Sequence, residues 1–347
     1  MNDQQTMDVA VVGVGRMGSH HARTYNKIPQ ANLVAVVDQD TERAETVADE
    51  YGCQSYAATD ELLANHPNLK AVTIAVPTIY HCAAAEPFLK RHIACLIEKP
   101  LAPTVADAKI LNDLAAETKT VLQVGHTERF NPAVRAVAAL DLPVRFMEVH
   151  RVSPMTFRSL DIGVVMDMMI HDLDIVLAFA ASPLVDVQAT GVAVLGEHED
   201  IANARLKFES GCVATLTASR LAMKTERKMR LIGEDAYVSL DYHSREGVLI
   251  SKAKNIDALE EIRRGLAEGR DLSEMDYSKI VQIDDLAMDG EEDPLTGQAT
   301  SFLRSIRGDE APVVDGSAGY AAVDAAERVV SAIREHRWEG RPAHAIL

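Results

Sequence analysis

The run Val9-Ala10-Val11-Val12-Gly13-Val14-Gly15-Arg16-Met17-Gly18 constrains the fold more than any other stretch. A β-branched run that breaks into three spaced glycines and then into a helix-forming segment, Ser19 to Asn26, reads as strand, tight turn and helix. In the spacing Gly13-x-Gly15-x-x-Gly18 the first glycine allows the turn, the second lets the backbone approach a pyrophosphate, and the third lets helix and strand pack closely. The helix start, Arg16 and Met17 included, offers backbone N–H groups that no earlier carbonyl accepts, which suits an anion. A second β-branched run, Leu33 to Val37, ends in Asp38, twenty residues beyond Gly18 and at the interval expected of an acid that holds an adenosine ribose. A carboxylate accepts hydrogen bonds from a ribose 2′-OH and repels a 2′-phosphate, so NAD is expected rather than NADP. Arg43, five residues further on, reads as a poor phosphate clamp.

A chain of 347 residues exceeds one usual domain. Two are expected: a dinucleotide-binding domain over residues 1–125, and a substrate-binding and oligomerisation domain over 126–347. Hydrophobic residues at 47% and charged residues at 25% suit a folded globular chain and argue against disorder or a membrane protein. A net charge of −17 disfavours nucleic acid and anionic membranes, so an anionic ligand must be met by local basic clusters and helix ends. Cys53, Cys82, Cys95 and Cys212 form no C-x-x-C pair and read as reduced. With neither a signal-peptide pattern nor an uncharged apolar stretch of bilayer length, the cytoplasm is the expected compartment.

From Met7 to about Gly125 short apolar runs alternate with helical segments, the pattern of parallel strands joined by right-handed crossovers in a doubly wound sheet. Thr41 and Thr104 stand where helix caps are wanted. One strand, Ala71 to Val76, ends at Pro77-Thr78, and the next, Ile93 to Ile97, runs into Glu98-Lys99-Pro100. The carboxyl ends of such strands form the ligand crevice, so Glu98 and Lys99 are either a surface ion pair or a crevice pair with Lys99 near the nicotinamide. Beyond Gly125 come a helix near Ala133 to Leu140, a strand from Val144 to Val152, a helix from Val164 to Ala180, and then successive strands. That succession predicts a C-terminal α+β domain with a largely antiparallel, open-faced sheet, its free face available to a second copy as a homodimer or homotetramer. Lys252 to Asp293 receives no chemistry, and the helix from Ala318 to Arg337 is expected to pack back on the first domain.

Asp167, His171 and Asp174 fall at i, i+4 and i+7 on the polar side of the helix from Val164, which makes Asp167 and His171 neighbours. A carboxylate beside an imidazole orients the ring and raises its basicity, as a proton acceptor near neutral pH requires. The alternatives are an exposed helix pair, or a metal held by His171, Asp172 and Asp174, for which no further ligands stand at telling spacing; no metal is expected. His20, His21 and His81 read as turn or helix-surface residues. The stretch Arg220 to Arg230 is conspicuously basic and suits either a substrate diphosphate or an exposed strand and turn.

With Gly13 to Gly18, Asp38, Glu98-Lys99-Pro100 and Asp167-x-x-x-His171 in this order, the chain resembles the Gfo/Idh/MocA oxidoreductase family over nearly its whole length. The resemblance implies a Rossmann domain, an open-faced α/β domain and hydride transfer between a sugar carbon and NAD. It places Lys99 at the reacting hydroxyl, makes His171, or Lys99 with His171, the acid/base, and has Asp167 support the histidine. It sets Pro77, Thr78, His81 and Glu98, with Lys99, along the cofactor. More narrowly, the segments Val124 to Pro132, His150 to Pro154, Met169 to Asp174 and Asp200 to Arg205 resemble a nucleotide-sugar branch, implying oxidation at C3 of a UDP-N-acetylhexosamine. Arg129, Asn131, Arg151, Arg158 and Arg220 are the further substrate candidates, the arginines on charge alone. A free-sugar or inositol dehydrogenase and a non-catalytic dinucleotide sensor are the rivals.

Overall fold

The computed structural model describes residues 6–156, 161–252, 256–271, 281–288 and 293–338. The chain divides into two compact units, one comprising Met1–Asp141, Leu173–Ala178 and Leu286–Asp324, the other Leu142–Asp172, Phe179–Asp285 and Ala325–Leu347.

The first unit is built from β1 (Met7–Val12), α1 (Arg16–Lys27), β2 (Ala31–Val37), α2 (Thr41–Tyr51), β3 (Gln54–Tyr56), α3 (Thr59–Asn65), β4 (Ala71–Ile74), α4 (His81–Leu89), β5 (Ala94–Glu98), α5 (Val105–Thr118) and β6 (Leu122–Gly125), followed by α6 (Pro132–Ala138). The six strands form one parallel sheet in the order β3-β2-β1-β4-β5-β6, with the reversal of direction at β1 and β4. β4, β5 and β6 are buried along their whole length, which is why they read as continuous apolar runs rather than as alternation. Phe88, Leu89 and Leu111 cover one face of the sheet, and Tyr25, Val47 and Phe302 cover the other.

In the first unit the expected helices form, with one local correction at a cap. Asp40, not Thr41, caps α2, its carboxylate accepting the Arg43 N–H, and Thr41 becomes the first helical residue. Thr104 caps α5 as expected.

The second unit carries β7 (Val144–Val152), β8 (Leu184–Val192), β9 (Ile201–Phe208), β10 (Val213–Ser219), β11 (Glu226–Gly233), β12 (Ala236–Asp241), β13 (Glu246–Lys252), α8 (Ile256–Ala267) and β14 (Val281–Asp285), while α7 (Ile170–Ala180) has its two ends in this unit and Leu173–Ala178 in the first. α9 (Pro294–Arg307) returns to the first unit, while α10 (Gly316–Glu335) contributes its start to the first unit and its end to the second. The eight strands run in the order β14-β13-β12-β11-β7-β10-β9-β8, antiparallel at every pairing except β7 with β10. The strict alternation along β9 buries Ala202, Ala204, Leu206 and Phe208 and exposes Ile201, Asn203, Arg205 and Lys207. The end of α10 lies on β8, where the Arg328 guanidinium donates to the Leu184 carbonyl at 2.8 Å.

Candidate active site

The fingerprint glycines divide by what surrounds them. Gly13 has φ +83°, and a Cβ there would lie 2.7 Å from the Val76 nitrogen, so both turn and packing demand glycine. At Gly18 a Cβ would fall 1.7 Å from the Gly13 carbonyl oxygen, the contact that seats α1 against the turn. Gly15 is different, because a Cβ there would meet nothing within 4 Å. Nothing in the protein requires that position to be bare, whereas a pyrophosphate lying against the backbone would. Gly15 also caps α1 without a side-chain bond, so the helix start is left to an external anion.

Asp38 stands at the end of β2, with its carboxylate accepting the N–H of Val14 at 2.9 Å and of Asp40 at 3.0 Å. These bonds hold it beside the glycine turn. A cleft of about 690 Å³ opens there, lined by Gly13, Gly15, Asp38 and Pro77. Arg43, discounted in the sequence, also lines it and approaches Asp38 at 3.3 Å while pairing with Asp40 at 2.6 Å. The remaining wall includes Gln39, Ala57, Ala58, Tyr80, Ala83 and Ala84, none of which the sequence singles out, although Tyr80 closely follows Pro77-Thr78 and the alanines at 83 and 84 signal a surface kept low. A bare cradle, a free helix start and a carboxylate at the end of β2 together fit a dinucleotide with an unphosphorylated ribose.

Three other expected cofactor residues stand outside that lining. Thr78 begins a single 3₁₀ turn, Thr78–Tyr80, outside the cleft lining. His81 is buried rather than on a helix surface, with Nδ1 3.0 Å from the Pro100 carbonyl and Nε2 3.0 Å from the Val76 carbonyl. Burial holds its imidazole below the usual histidine value, although the three carbonyls around it act in the other direction. Glu98 is likewise buried, and it pairs with His21, whose Nε2 lies 2.7 Å from Oε1. Burial alone would raise the Glu98 carboxyl, but the His21 bond and the nearby charges of His21 and Lys99 outweigh it and hold the group below the usual range. Lys99 itself is half-buried at the exit of β5.

At the neighbouring exit of β6, His126 is fully buried and kept below the usual value, by burial foremost. Arg129 follows, and its Nε and Nη2 donate to the two oxygens of buried Asp174 at 2.6 and 3.1 Å. Asn131 caps α6, accepting the Ala133 N–H at 3.0 Å.

In the second unit the helix carrying Asp167 and His171 opens with a π turn, Val165–Met169, before α7, where an uninterrupted α-helix was expected. Glu199 braces this turn, accepting the Val165 N–H at 3.2 Å. Asp167 and His171 are both half-buried there. Arg151 grips Asp172 with two bonds of 2.7 and 2.9 Å, both side chains buried. Arg220 donates to Asp200 at 2.7 Å and to the Ile162 carbonyl at 3.0 Å. Burial would raise the Asp200 carboxyl, but the N–H groups of Leu195 and Val194, with Arg220, hold it low. Arg129, Arg151 and Arg220 are thus each matched to an internal carboxylate, and charge alone no longer nominates them for a phosphate. Arg158 lies outside the described residues. The basic stretch after Arg220 resolves largely into the exposed face of β11, where Arg230 donates to Glu148 at 2.8 Å. Asp172 and Asp174 are likewise taken by arginines, and the described residues contain no group of three or more histidines, cysteines or carboxylates able to hold a metal.

Comparison with known proteins adds a family. Residues 7–126 match the family described as GFO_IDH_MocA, oxidoreductase family, NAD-binding Rossmann fold, and residues 144–239 match the GFO/IDH/MocA C-terminal domain. The chain is 40% identical over 238 residues to a UDP-N-acetylglucosamine 3-dehydrogenase of Acidithiobacillus ferrooxidans, covering 68% of this chain and 74% of that one. It is 25% identical over 292 residues to a scyllo-inositol 2-dehydrogenase (NAD(+)) of Bacillus subtilis, covering 79% and 85%. A solved structure of the Acidithiobacillus ferrooxidans UDP-N-acetylglucosamine 3-dehydrogenase superposes with a TM-score of 0.82 at 32% identity, covering 94% of this chain and 98% of that one.

Proposed function

Because the chain belongs to the Gfo/Idh/MocA oxidoreductase family, with its NAD-binding Rossmann domain, we propose that it oxidises C3 of a UDP-N-acetylhexosamine to a ketone. The observation that carries this reading is the 40% identity to a relative named for that reaction, joined to Lys99 at a strand exit and to Asp167 and His171 on the π turn and its following helix.

When bound, NAD supplies the hydride acceptor. Gly15 and the start of α1 hold its pyrophosphate, and Asp38 accepts from its adenosine ribose. Lys99 hydrogen-bonds the reacting hydroxyl and, with His171, takes up its proton. Asp167 keeps the imidazole oriented. Arg129, whose side chain keeps 17% exposure beside Asp174, and Arg158 are left to meet the substrate's charge, with Asn131 fixing the loop between Arg129 and α6. Arg151 and Arg220 act as supports for the second unit's helix start.

The enzyme is further proposed to work in the cytoplasm as a homo-oligomer joined through the exposed face of the eight-stranded sheet. Support comes from four cysteines that form no disulfide and from the alternation that leaves that face uncovered. No described helix is long and apolar enough to cross a membrane.

The test follows the absorbance of reduced cofactor with NAD and, separately, UDP-N-acetylglucosamine, myo-inositol and glucose, with an aminotransferase present to remove the ketone. Turnover of the nucleotide sugar that is lost in Lys99→Ala is the expected result. Turnover of a free polyol alone overturns the substrate, and tight NAD binding without any turnover overturns the reaction.

A further inference from the structure

His21 has no place in the chemistry described so far, yet it is a fully buried imidazole on the helix that starts at the pyrophosphate-binding glycines. Its Nε2 lies 2.7 Å from Glu98 Oε1, and the other carboxylate oxygen accepts the backbone N–H of Lys99 at 3.3 Å. A carboxylate held ionised is acceptor-only, so the His21 Nε2 carries the proton and donates. The remaining ring nitrogen, Nδ1, has no hydrogen-bond partner among the described residues. Glu98 is therefore the ring's one hydrogen-bond partner among the described residues.

The place of Glu98 is itself kept open by β6. A Cβ at Gly125 would lie 2.9 Å from Glu98 Cα and 3.1 Å from its carboxyl carbon, so a side chain there would displace the carboxylate. On the far side of Lys99, the carbonyls of Pro100 and Leu101 lie 3.0 and 3.3 Å from His81 Nδ1. Lys99 therefore stands between a bond to its own N–H and bonds to the two residues after it, and the upstream bond runs through Glu98 to α1.

We propose that His21 is a positioning residue for Lys99: through the Glu98 carboxylate it ties the catalytic lysine's backbone to the helix that receives the cofactor's pyrophosphate. This rests on the reading of Lys99 as the residue at the reacting hydroxyl. The link gives the NAD site and the proton-handling site one shared rigid element, so that disturbing it misplaces Lys99 without removing any group that touches NAD.

Three variants test it. His21→Gln keeps an N–H donor near the position of Nε2, and its kcat stays within about threefold of the wild type. His21→Leu removes the donor, and kcat falls about 100-fold while the NAD dissociation constant stays within about threefold, as expected of a misplaced catalytic group. Should His21→Leu fail to fold, Glu98→Gln strands no buried charge, and its one oxygen cannot occupy both of the carboxylate-oxygen positions that His21 and Lys99 bond; it is read by amide exchange around Lys99 and not by NAD binding. Amide hydrogen exchange read on peptides spanning Glu98 to Leu101 gives an answer without any sugar. Exchange there quickens in His21→Leu and Glu98→Gln but not in His21→Gln, and α1 is unchanged. Equal defects in His21→Gln and His21→Leu, a parallel loss of NAD affinity and kcat, or unaltered exchange around Lys99 overturns the positioning role. A wild type that turns over no sugar overturns the proposed reaction instead, and the exchange data still decide the link.

Discussion

Gly15 and Gly18 stand three residues apart in one motif, yet the structure separates what a single methyl does at each. At Gly18 the added Cβ would sit 1.7 Å from the Gly13 carbonyl oxygen, a backbone atom in a turn already fixed by φ +83°. α1 must then lift off the sheet, disturbing the packing of Ala22 and Tyr25, and Gly18→Ala costs about 3 kcal/mol or more. At Gly15 the methyl enters open space, with φ −64° and ψ −162° accessible to alanine. The gain from a stiffer unfolded chain, about 0.4–1 kcal/mol, nearly cancels the poorer N-cap, so stability moves by less than about 1 kcal/mol. NAD binding moves far more. Losing one or two charge-assisted bonds from the helix start to the pyrophosphate, at about 1.5–3 kcal/mol each, weakens affinity by about one to four orders of magnitude. Urea unfolding and NAD titration of the two variants read both quantities. Wild-type NAD affinity in a folded Gly15→Ala, or equal destabilisation by the two substitutions, would refute the assignment of Gly15 to the ligand.

Asp38→Ser removes the carboxylate that repels a 2′-phosphate and frees Arg43 from one of its two carboxylate partners, so the ratio of NADP to NAD affinity rises about 100-fold, as cofactor titrations will show. Arg151→Met strands buried Asp172 and destabilises by about 3–5 kcal/mol in urea unfolding, whereas the double variant with Asp172→Leu recovers most of the loss. Burial keeps His81 and His126 below the ordinary value of 6.5, so under that pH the unfolded chain binds more protons than the folded one. Stability therefore rises with pH through the window beneath 6.5 and is lost on acidification, each histidine contributing up to about 1.4 kcal/mol per pH unit until its folded value is reached. Urea midpoints across that window should flatten in His81→Gln; an unchanged slope refutes the neutral ring.

The first unit's sheet was legible because its central strands are buried on both faces and leave an unbroken apolar record, as Cys95-Leu96-Ile97 shows. What escaped has weak local signals. β3, Gln54–Tyr56, is a three-residue edge strand with no fully buried side chain, and β14, Val281–Asp285, alternates apolar with polar residues only once before its two aspartates. The π turn at Val165–Met169 escaped because hydrophobic spacing over five residues does not distinguish 3.6 from a slightly wider period. Its brace, Glu199, stands 34 residues from Val165.

Sequence spacing relates residues of the candidate site that are neighbours along the chain, and says least about partners at a distance. Gly13, Gly15, Gly18 and Asp38 form one turn and one strand end, so spacing alone relates them. Arginines are ambiguous by the same logic. In a chain of net charge −17, Arg129, Arg151 and Arg220 look like anion sites, but the carboxylates that answer them are Asp174, Asp172 and Asp200, 45, 21 and 20 residues away. His21 and Glu98, 77 residues apart, show the converse: two residues with no sequence relation become one hydrogen-bonded unit because the fold brings α1 to the end of β5. In an acidic chain a buried arginine is better taken as matched to an internal carboxylate until its exposure is known. By that criterion Arg129, which keeps some access beside Asp174, is the one of the three whose replacement should raise the KM for a charged substrate, while Arg151 and Arg220 variants should lose stability before they lose affinity.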